Sequence, residues 1–294
     1  MEIRERAGLK RRSSVVNGIF YPDSSETMKS RLASWGLKEG LSALGGQALL
    51  APHGAWDLTG NIAASAFVSV QERGQGSGGL RGRSVSRVFL LGPHHQNAEE
   101  GIYLSESCSF ETPLGDLMVD QKLNRKLASC ATLIRVNDIP HLSEHCLEVL
   151  LPLVKYCFPK AKIVPILMAG RRPALISGLA KALWIVLEKH MEASLVIVSS
   201  NISRDPDPAT ARSMAHEFNG LLANMDTPAF LSRLNAGRIS ASGGALVGAL
   251  LKSGLLEGRH FSSLLPLSQG KGEMGDTVYF GAFSDRPNSL KYGP

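Results

Sequence analysis

The 294-residue sequence predicts a single α/β domain, and two patterns carry that prediction. Short apolar runs bounded by glycine or proline recur along the chain, and such runs are typical of strands covered on both faces of a sheet. These runs alternate with helical segments through the whole length without a linker, as in one α/β domain. A hydrophobic content of 44% supplies the side chains for a sizeable core.

Local signals place the elements in chain order. Asp23-Ser-Ser-Glu26 is typical of a helix start, because a capping residue is followed three positions later by an acid, and the helix then continues to Gly36. Further helices are predicted at 62–70, 120–128, from about 144, and at 174–188, 209–224, 227–236 and from 244. Strands are predicted at 47–51, 87–92, 162–168, 195–200 and 277–283.

The net charge of +6 comes from two short segments. Residues 1–12 hold five basic and two acidic groups, and residues 71–87 hold four arginines and one glutamate, so each segment contributes +3. Neither segment interleaves aromatic residues with its charges, as nucleic-acid stacking platforms do, so nucleic-acid binding is not expected. We predict a basic flexible tail at 1–13, a domain at 14–294 and, because it is rich in glycine and serine, a flexible loop at 71–86.

The cysteines and the apolar runs indicate the compartment. The four cysteines form no CxxC pair, which suits free thiols in a reducing cytosol better than a disulfide framework or a zinc ribbon. The chain has no run approaching the ~18 apolar residues that span a bilayer, and its charged N-terminus lacks the apolar region of a signal peptide. We therefore expect a cytoplasmic protein without a membrane segment.

Two histidines directly follow predicted strands, and both are preceded by proline. His53 follows the strand at 47–51, and His95 follows the strand at 87–92 together with His94. In open α/β sheets, ligands bind in the crevice beyond the carboxyl ends of the strands. A single histidine at a strand end is more often structural, but the repeated strand-Pro-His pattern raises the expectation of a metal or acid–base site.

Three more segments carry polar residues at boundaries of the same kind: Glu144-His145 with Glu148, Ser199–Arg204, and Ser240–Gly244. Two imidazoles with one anion is the ligand set of many non-haem Fe(II) sites, and Glu144 or Glu148 is the candidate anion. His145 and Glu144 are candidate catalytic residues; the alternative is that both merely cap a helix start. Ser242 before two glycines suggests a nucleophile, but it lacks the G-x-S-x-G elbow, and close helix packing explains it more simply.

Several of these segments resemble landmarks of one protein family, in order and over residues 14–284. They are Gly18–Pro22, Ala51–His53, Gly92–His95, Thr112–Asp116, Glu144–Glu148 with Leu151-Pro152, Val198–Ser200 and Gly237–Ser240. The chain resembles the Memo family, also called AmmeMemoRadiSam system protein B. That family is distantly similar to LigB-type class III extradiol dioxygenases. The resemblance implies a central mixed, mostly parallel sheet flanked by helices.

The resemblance also implies site residues, but this chain departs from the family at several of them. His53 and His95 match the family histidines that bind iron or copper. The family cysteine is Ser242 here, its aspartate is Asn201, and the histidine that resembles the extradiol base is Arg204. A serine hydroxyl and an asparagine supply no charge, and arginine is permanently cationic. The metal site is therefore predicted to be remodelled or degenerate.

Two functions follow from these substitutions. The first is a binding protein whose pocket, with His53, His95, His145 and Arg204, accepts a small anionic ligand or a peptide; His94 and Asn201 are further candidate pocket residues. The second is a non-haem iron- or copper-dependent oxidoreductase, dioxygenase-like, that uses His53 and His95. The resemblance implies association with radical-SAM and AMMECR1-like proteins as well.

Overall fold

The computed structural model describes residues 10–40, 46–71, 85–96, 99–272 and 274–288. The helices are α1 (Ser25–Ser34), α2 (Trp56–Gln71), α3 (Gln121–Ala128), α4 (Ile139–Ser143), α5 (Leu151–Cys157), α6 (Pro173–Leu187), α7 (Pro208–Ala223), α8 (Thr227–Asn235) and α9 (Gly244–Lys252). The strands are β1 (Arg11–Arg12), β2 (Ala48–Ala51), β3 (Arg87–Pro93), β4 (Gly101–Leu104), β5 (Ser109–Phe110), β6 (Leu117–Met118), β7 (Ile134–Val136), β8 (Lys162–Ala169), β9 (Ser194–Ser199), β10 (Ser203–Asp205), β11 (Arg259–Ser263), β12 (Ser268–Lys271), β13 (Thr277–Phe280) and β14 (Phe283–Pro287).

The main sheet has eight strands in the order β11-β14-β2-β9-β3-β8-β4-β7. The four neighbours at its centre, β2, β9, β3 and β8, are all parallel. β14 and β11 on one side and β4 on the other join antiparallel, and β7 is parallel to β4. The α/β prediction is therefore confirmed, and the carboxyl ends of β2, β9 and β3 meet at one edge.

Both faces of this sheet are buried under helices. Leu50 and Leu91 face a core formed with α3 and α6 to α9, whereas Leu49 and Leu90 face a second core formed with α1, α2 and α5. Because alternate side chains of a strand point to opposite faces, burial of both faces explains the continuous apolar runs of the sequence.

The start of the domain differs from the prediction of a tail at 1–13. Residues 1–9 lie outside the described residues, but Arg11–Arg12 form β1, which pairs with β5 in a small separate sheet. Arg12 is only 2% exposed, because its guanidinium is paired with the buried carboxylate of Glu148. The predicted tail is therefore wrong for these two arginines, which belong to the folded domain.

Most of the predicted loop at 71–86, residues 72–84, lies outside the described residues. Gln71 is the last residue of α2. On the other side, the backbone N–H of Ser86 donates to the carbonyl of Ala193, 2.9 Å away, directly before β3 begins. Of the helices in the described ranges, none has the length and apolarity needed to cross a membrane.

Candidate metal centre

Three imidazoles meet at the carboxyl edge of the central strands. His53 follows β2, His95 follows β3, and His145 lies between α4 and the 3₁₀ turn Glu148–Leu150. The ring centroids are 4.9 Å apart for His53 and His95, 5.1 Å for His95 and His145, and 5.9 Å for His53 and His145. Within the described ranges, potential ligand atoms of His95, Glu144 and His145 lie within 4.8 Å of one another.

The ring of His53 is held in one tautomer by the end of β9. Its Nδ1 lies 2.9 Å from Ser199 Oγ, and that hydroxyl donates its proton to the carbonyl of Cys146, 2.7 Å away. Ser199 can therefore only accept from His53, so Nδ1 carries the ring proton and Nε2 has a lone pair. Ser242 Oγ lies 3.4 Å from this Nε2.

His53 is neutral at physiological pH. Its burial lowers the pKa well below the ordinary value, because the charged ring would lose its hydration, and the neighbouring His95 and His145 lower it further. A neutral imidazole whose Nε2 has a lone pair is suited to bind a metal ion, whereas a charged ring would have no lone pair to offer.

Glu144 lies behind His95 and orients it. The carboxylate accepts hydrogen bonds from His95 Nδ1 at 2.9 Å, from the His95 backbone N–H at 2.7 Å and from the Cys146 backbone N–H at 3.0 Å. Burial alone would raise the pKa of the carboxyl, but the hydrogen bonds from His95 and from the backbone N–H groups of His95 and Cys146 outweigh burial and hold the pKa well below its usual range. A carboxylate on Nδ1 fixes the ring and leaves Nε2 for a metal, as in many carboxylate–histidine–metal arrangements.

Two glycines allow the backbone segments of the site to approach this closely. A Cβ on Gly92 would lie 2.5 Å from Cys146 Sγ, and one on Gly243 would lie 2.6 Å from the carbonyl oxygen of Ser199. The Gly92-Pro and Gly243-Gly pairs of the sequence therefore serve close packing around the histidines, which supports the packing interpretation of the Ser242 segment.

The remaining predicted residues divide between the site and its surroundings. Asn201 supports it from behind, since its Oδ1 accepts from the His53 backbone N–H at 3.3 Å and its own N–H donates to Ser242 Oγ at 2.9 Å. The buried ring of His94 lies on the far side of the carboxylate, with Nδ1 3.3 Å from a Glu144 oxygen.

Arg204 does not present its charge to the imidazoles as directly as the sequence suggested. Its Nε lies 2.6 Å from Asp276 Oδ2, and its charge contributes only slightly to the lowered pKa of His53. Because a carboxylate balances this guanidinium, its repulsion of a bound cation is weaker than expected.

Glu148, the other candidate anion, binds the N-terminal segment. Its carboxylate is paired with Arg12 and accepts from Tyr21 Oη at 2.8 Å and from the backbone N–H groups of Val15 and Val16, each at 2.9 Å. These donors occupy it fully, so it anchors the N-terminal segment instead of serving the site. Sequence reasoning missed this anchor and the role of Ser199, whose only signal was a hydroxyl at the end of an apolar strand.

The three imidazoles offer nitrogen donors close to one another, and His95 and His145, with Glu144, have ligand atoms near enough to share an ion. Imidazole nitrogen suits zinc, copper, iron and nickel. Nitrogens about 2 Å from a common ion at tetrahedral angles place ring centroids about 5 Å apart, close to the observed separations. Rings whose Nδ1 atoms are engaged by an oxygen, as in His53 and His95, turn the other nitrogen toward such an ion.

Comparison with known proteins identifies the family. A family model described as Memo-like protein matches residues 12–271, which include the three imidazoles and Ser242. The chain belongs to the Memo family. The resemblance drawn from short motifs is thereby confirmed.

Other members of the Memo family share limited sequence identity with this chain. A MEMO1 family protein of Metallosphaera sedula is 25% identical over 211 residues, covering 68% of this chain and 71% of its own length. One of Desulfurococcus amylolyticus is 26% identical over 232 residues, covering 74% and 78%. An uncharacterized Escherichia coli K12 protein of known crystal structure is 12% identical, with a TM-score of 0.45 over 68% of this chain and 86% of its own.

Proposed function

We propose that this Memo-family chain binds a divalent transition metal, iron or copper, through His53, His95 and His145. The observation that carries the proposal is the cluster of three imidazole rings, with centroids 4.9–5.9 Å apart. The Nδ1 atoms of His53 and His95 are each engaged by an oxygen, so their Nε2 atoms are the ones that would bind the ion, and at His53 the ion would displace the long 3.4 Å hydrogen bond to Ser242 Oγ. The third imidazole replaces the anionic ligand that the family cysteine would supply at Ser242.

The ligand of this centre is a small anion. Three neutral imidazoles leave the charge of a dication uncompensated, so an anionic group is favoured at the coordination positions that three protein ligands leave open. Bound iron or copper would supply Lewis-acid chemistry to such a ligand. Asn201 and Arg204 offer no proton-accepting group, and Glu144 is occupied by three N–H donors, which favours binding over catalysis.

The second candidate is an iron- or copper-dependent oxidoreductase. It is favoured by the same open positions, since oxygen-activating iron sites keep positions free beside three protein ligands. Oxygen uptake by the Fe²⁺-loaded protein that His53→Gln abolishes would support this function, and a stable Fe²⁺ form in air would support binding alone.

Calorimetric titration tests the proposal. The untagged full chain, stripped of metal with a chelator, is titrated with Cu²⁺ and, without oxygen, with Fe²⁺. We expect one equivalent to bind. We also expect His53→Gln, His95→Gln and His145→Gln each to weaken binding at least ~100-fold, because loss of a ligand should exceed the ~10–100-fold loss typical of a residue that only hydrogen-bonds to a ligand. His216→Gln, on the exposed surface of α7, is the matched control and should bind as the wild type does.

Two results would overturn the proposal. A wild type that binds neither ion would exclude a metal function for this cluster. Equal affinity of the wild type and folded His145→Gln would reduce the site to two imidazoles and restore the degenerate site predicted from the sequence.

A further inference from the structure

The N-terminal segment reaches the candidate metal centre from behind. The side chain of Arg12 is 1% exposed, and its guanidinium contacts three groups on the segment that carries the site residues. Nε donates to the carbonyl of His141 and Nη2 to the carbonyl of Glu144, each at 2.9 Å, and Nη1 donates to the Glu148 carboxylate. One side chain therefore spans residues 141–148.

The two carbonyls belong to the end of a short helix. α4 ends at Ser143, and Glu144 is extended, with φ −80° and ψ 126°. The last carbonyls of a helix have no partner within the helix and need another donor when they are buried. Arg12 supplies that donor at the point where the chain leaves α4 and brings Glu144 and His145 to the other two histidines.

The same segment contacts the site a second time. Glu148 binds the backbone N–H groups of Val15 and Val16 and the hydroxyl of Tyr21, so it closes the turn between them. Phe20, within this turn, packs its ring edge-on against His145 with centroids 5.3 Å apart. The N-terminal segment thus holds both the backbone of Glu144 and the ring of His145.

We infer that Arg12 is a positioning residue of the metal centre, which fixes the 141–145 segment so that Glu144 and His145 face His53 and His95. This inference rests on the proposed function. Arg12 acts only through Glu144 and His145. A planar guanidinium has five fixed N–H groups and can bind two carbonyls and a carboxylate at once. The ammonium of lysine is a compact charge on a flexible stem and cannot reach all three in a fixed geometry.

The experiment uses two neighbouring arginines of β1. Arg12→Lys keeps the charge opposite Glu148 but cannot span both carbonyls, whereas Arg11→Lys changes an exposed residue paired with Asp116. Cu²⁺ affinity is measured on the full chain by calorimetry, at a temperature where circular dichroism shows each variant folded. We expect Arg12→Lys to weaken binding ~10–100-fold, as for other partners behind metal ligands, and Arg11→Lys to leave it unchanged.

A double variant separates positioning from a general structural role. If Arg12 acts through Glu144 and His145, the Arg12→Lys and Glu144→Gln double variant should lose less Cu²⁺ affinity than the product of the two single losses. Independent, multiplicative losses would contradict this. If Arg12→Lys does not fold, Arg12→Gln combined with Glu148→Gln removes both buried charges and should show the same ~10–100-fold loss.

Wild-type affinity in a folded Arg12 variant would overturn the inference and leave Arg12 as a stability residue only. That outcome differs from failure of the proposed function, in which the wild type itself would bind no Cu²⁺.

Discussion

Glu144 and Glu148 lie four residues apart with both carboxylates buried, yet they serve opposite sides of one segment. Glu144 faces the ring of His95 and two backbone N–H groups. Glu148 faces the permanent charge of Arg12, together with Tyr21 and two backbone N–H groups. Around Glu144, the second ring nitrogen of His95 can still bind an external ligand. Around Glu148, every partner of the carboxylate belongs to the protein.

The comparison teaches that the partner of a buried glutamate decides its role. A buried ion pair that is complete within the protein is costly to break, because one charge then remains unpaired. A carboxylate behind an imidazole tunes what the ring binds. Changes on the Glu148 side should therefore affect stability most, and changes on the Glu144 side should affect metal affinity most.

The largest effect is expected from Glu148→Gln. It leaves the guanidinium of Arg12 buried without its counter-charge, so the free energy of unfolding should fall by about 3–5 kcal/mol in urea denaturation. Asp116→Asn, which breaks the half-exposed pair with Arg11, is the control and should cost about 1 kcal/mol or less. Equal losses in the two variants would mean that the Glu148 network is not the anchor described here.

His141, whose carbonyl accepts from Arg12, should make the free energy of unfolding depend on pH. Burial lowers its pKa from 6.5 to about 4, so below pH 6.5 the unfolded chain takes up a proton that the folded chain refuses. This contribution is present above pH 6.5 and falls by about 3 kcal/mol as the pH drops to about 4. His141→Gln should flatten the slope between pH 7 and 4.5 in urea titrations; an unchanged slope would assign it to other groups.

Glu144→Gln should act mainly on metal binding. The amide no longer provides the charge that orients His95 from its Nδ1 side, so Cu²⁺ affinity should fall ~10–100-fold in calorimetry. The loss of unfolding free energy should be smaller than that of Glu148→Gln. The reverse ranking of the two variants in both measurements would exchange the roles assigned to the two carboxylates.

Ser242→Cys should give the smallest effect, and in the opposite direction. A thiol beside His53 Nε2 adds an anionic donor once deprotonated, so Cu²⁺ affinity should rise at least ~10-fold, about 1.4 kcal/mol. The gain should grow with pH because binding releases the thiol proton. Ser240→Cys is the control, since Ser240 Oγ accepts from the backbone N–H of Arg204 and not from an imidazole.

The sequence predicted the parts of the site that depend on local pattern. His53 and His95 each follow an apolar strand and a proline, and the carboxyl ends of neighbouring parallel strands necessarily share an edge. The apolar runs that predict the strands also contain or precede the family motifs around His53 and His95. His145 was expected at the start of a helix, but Glu144 is extended, which turns the imidazole toward the other two.

The rest depends on pairings that sequence patterns do not encode. Arg12 finds Glu148 136 residues along the chain, so a basic N-terminus looked like a solvated tail. Asp276, the partner of Arg204, also lies far along the chain and outside the recognised motifs, so an arginine beside histidines suggested a cationic pocket. Only the fold shows which buried charges are already balanced.

The number of imidazoles on the bound ion tests the central claim most directly. X-ray absorption spectra of the copper-loaded full chain count these rings through their characteristic scattering. We expect three imidazole nitrogens at about 2 Å, falling to two in His145→Gln. Two imidazoles in the wild type, with a spectrum that His145→Gln leaves unchanged, would contradict it.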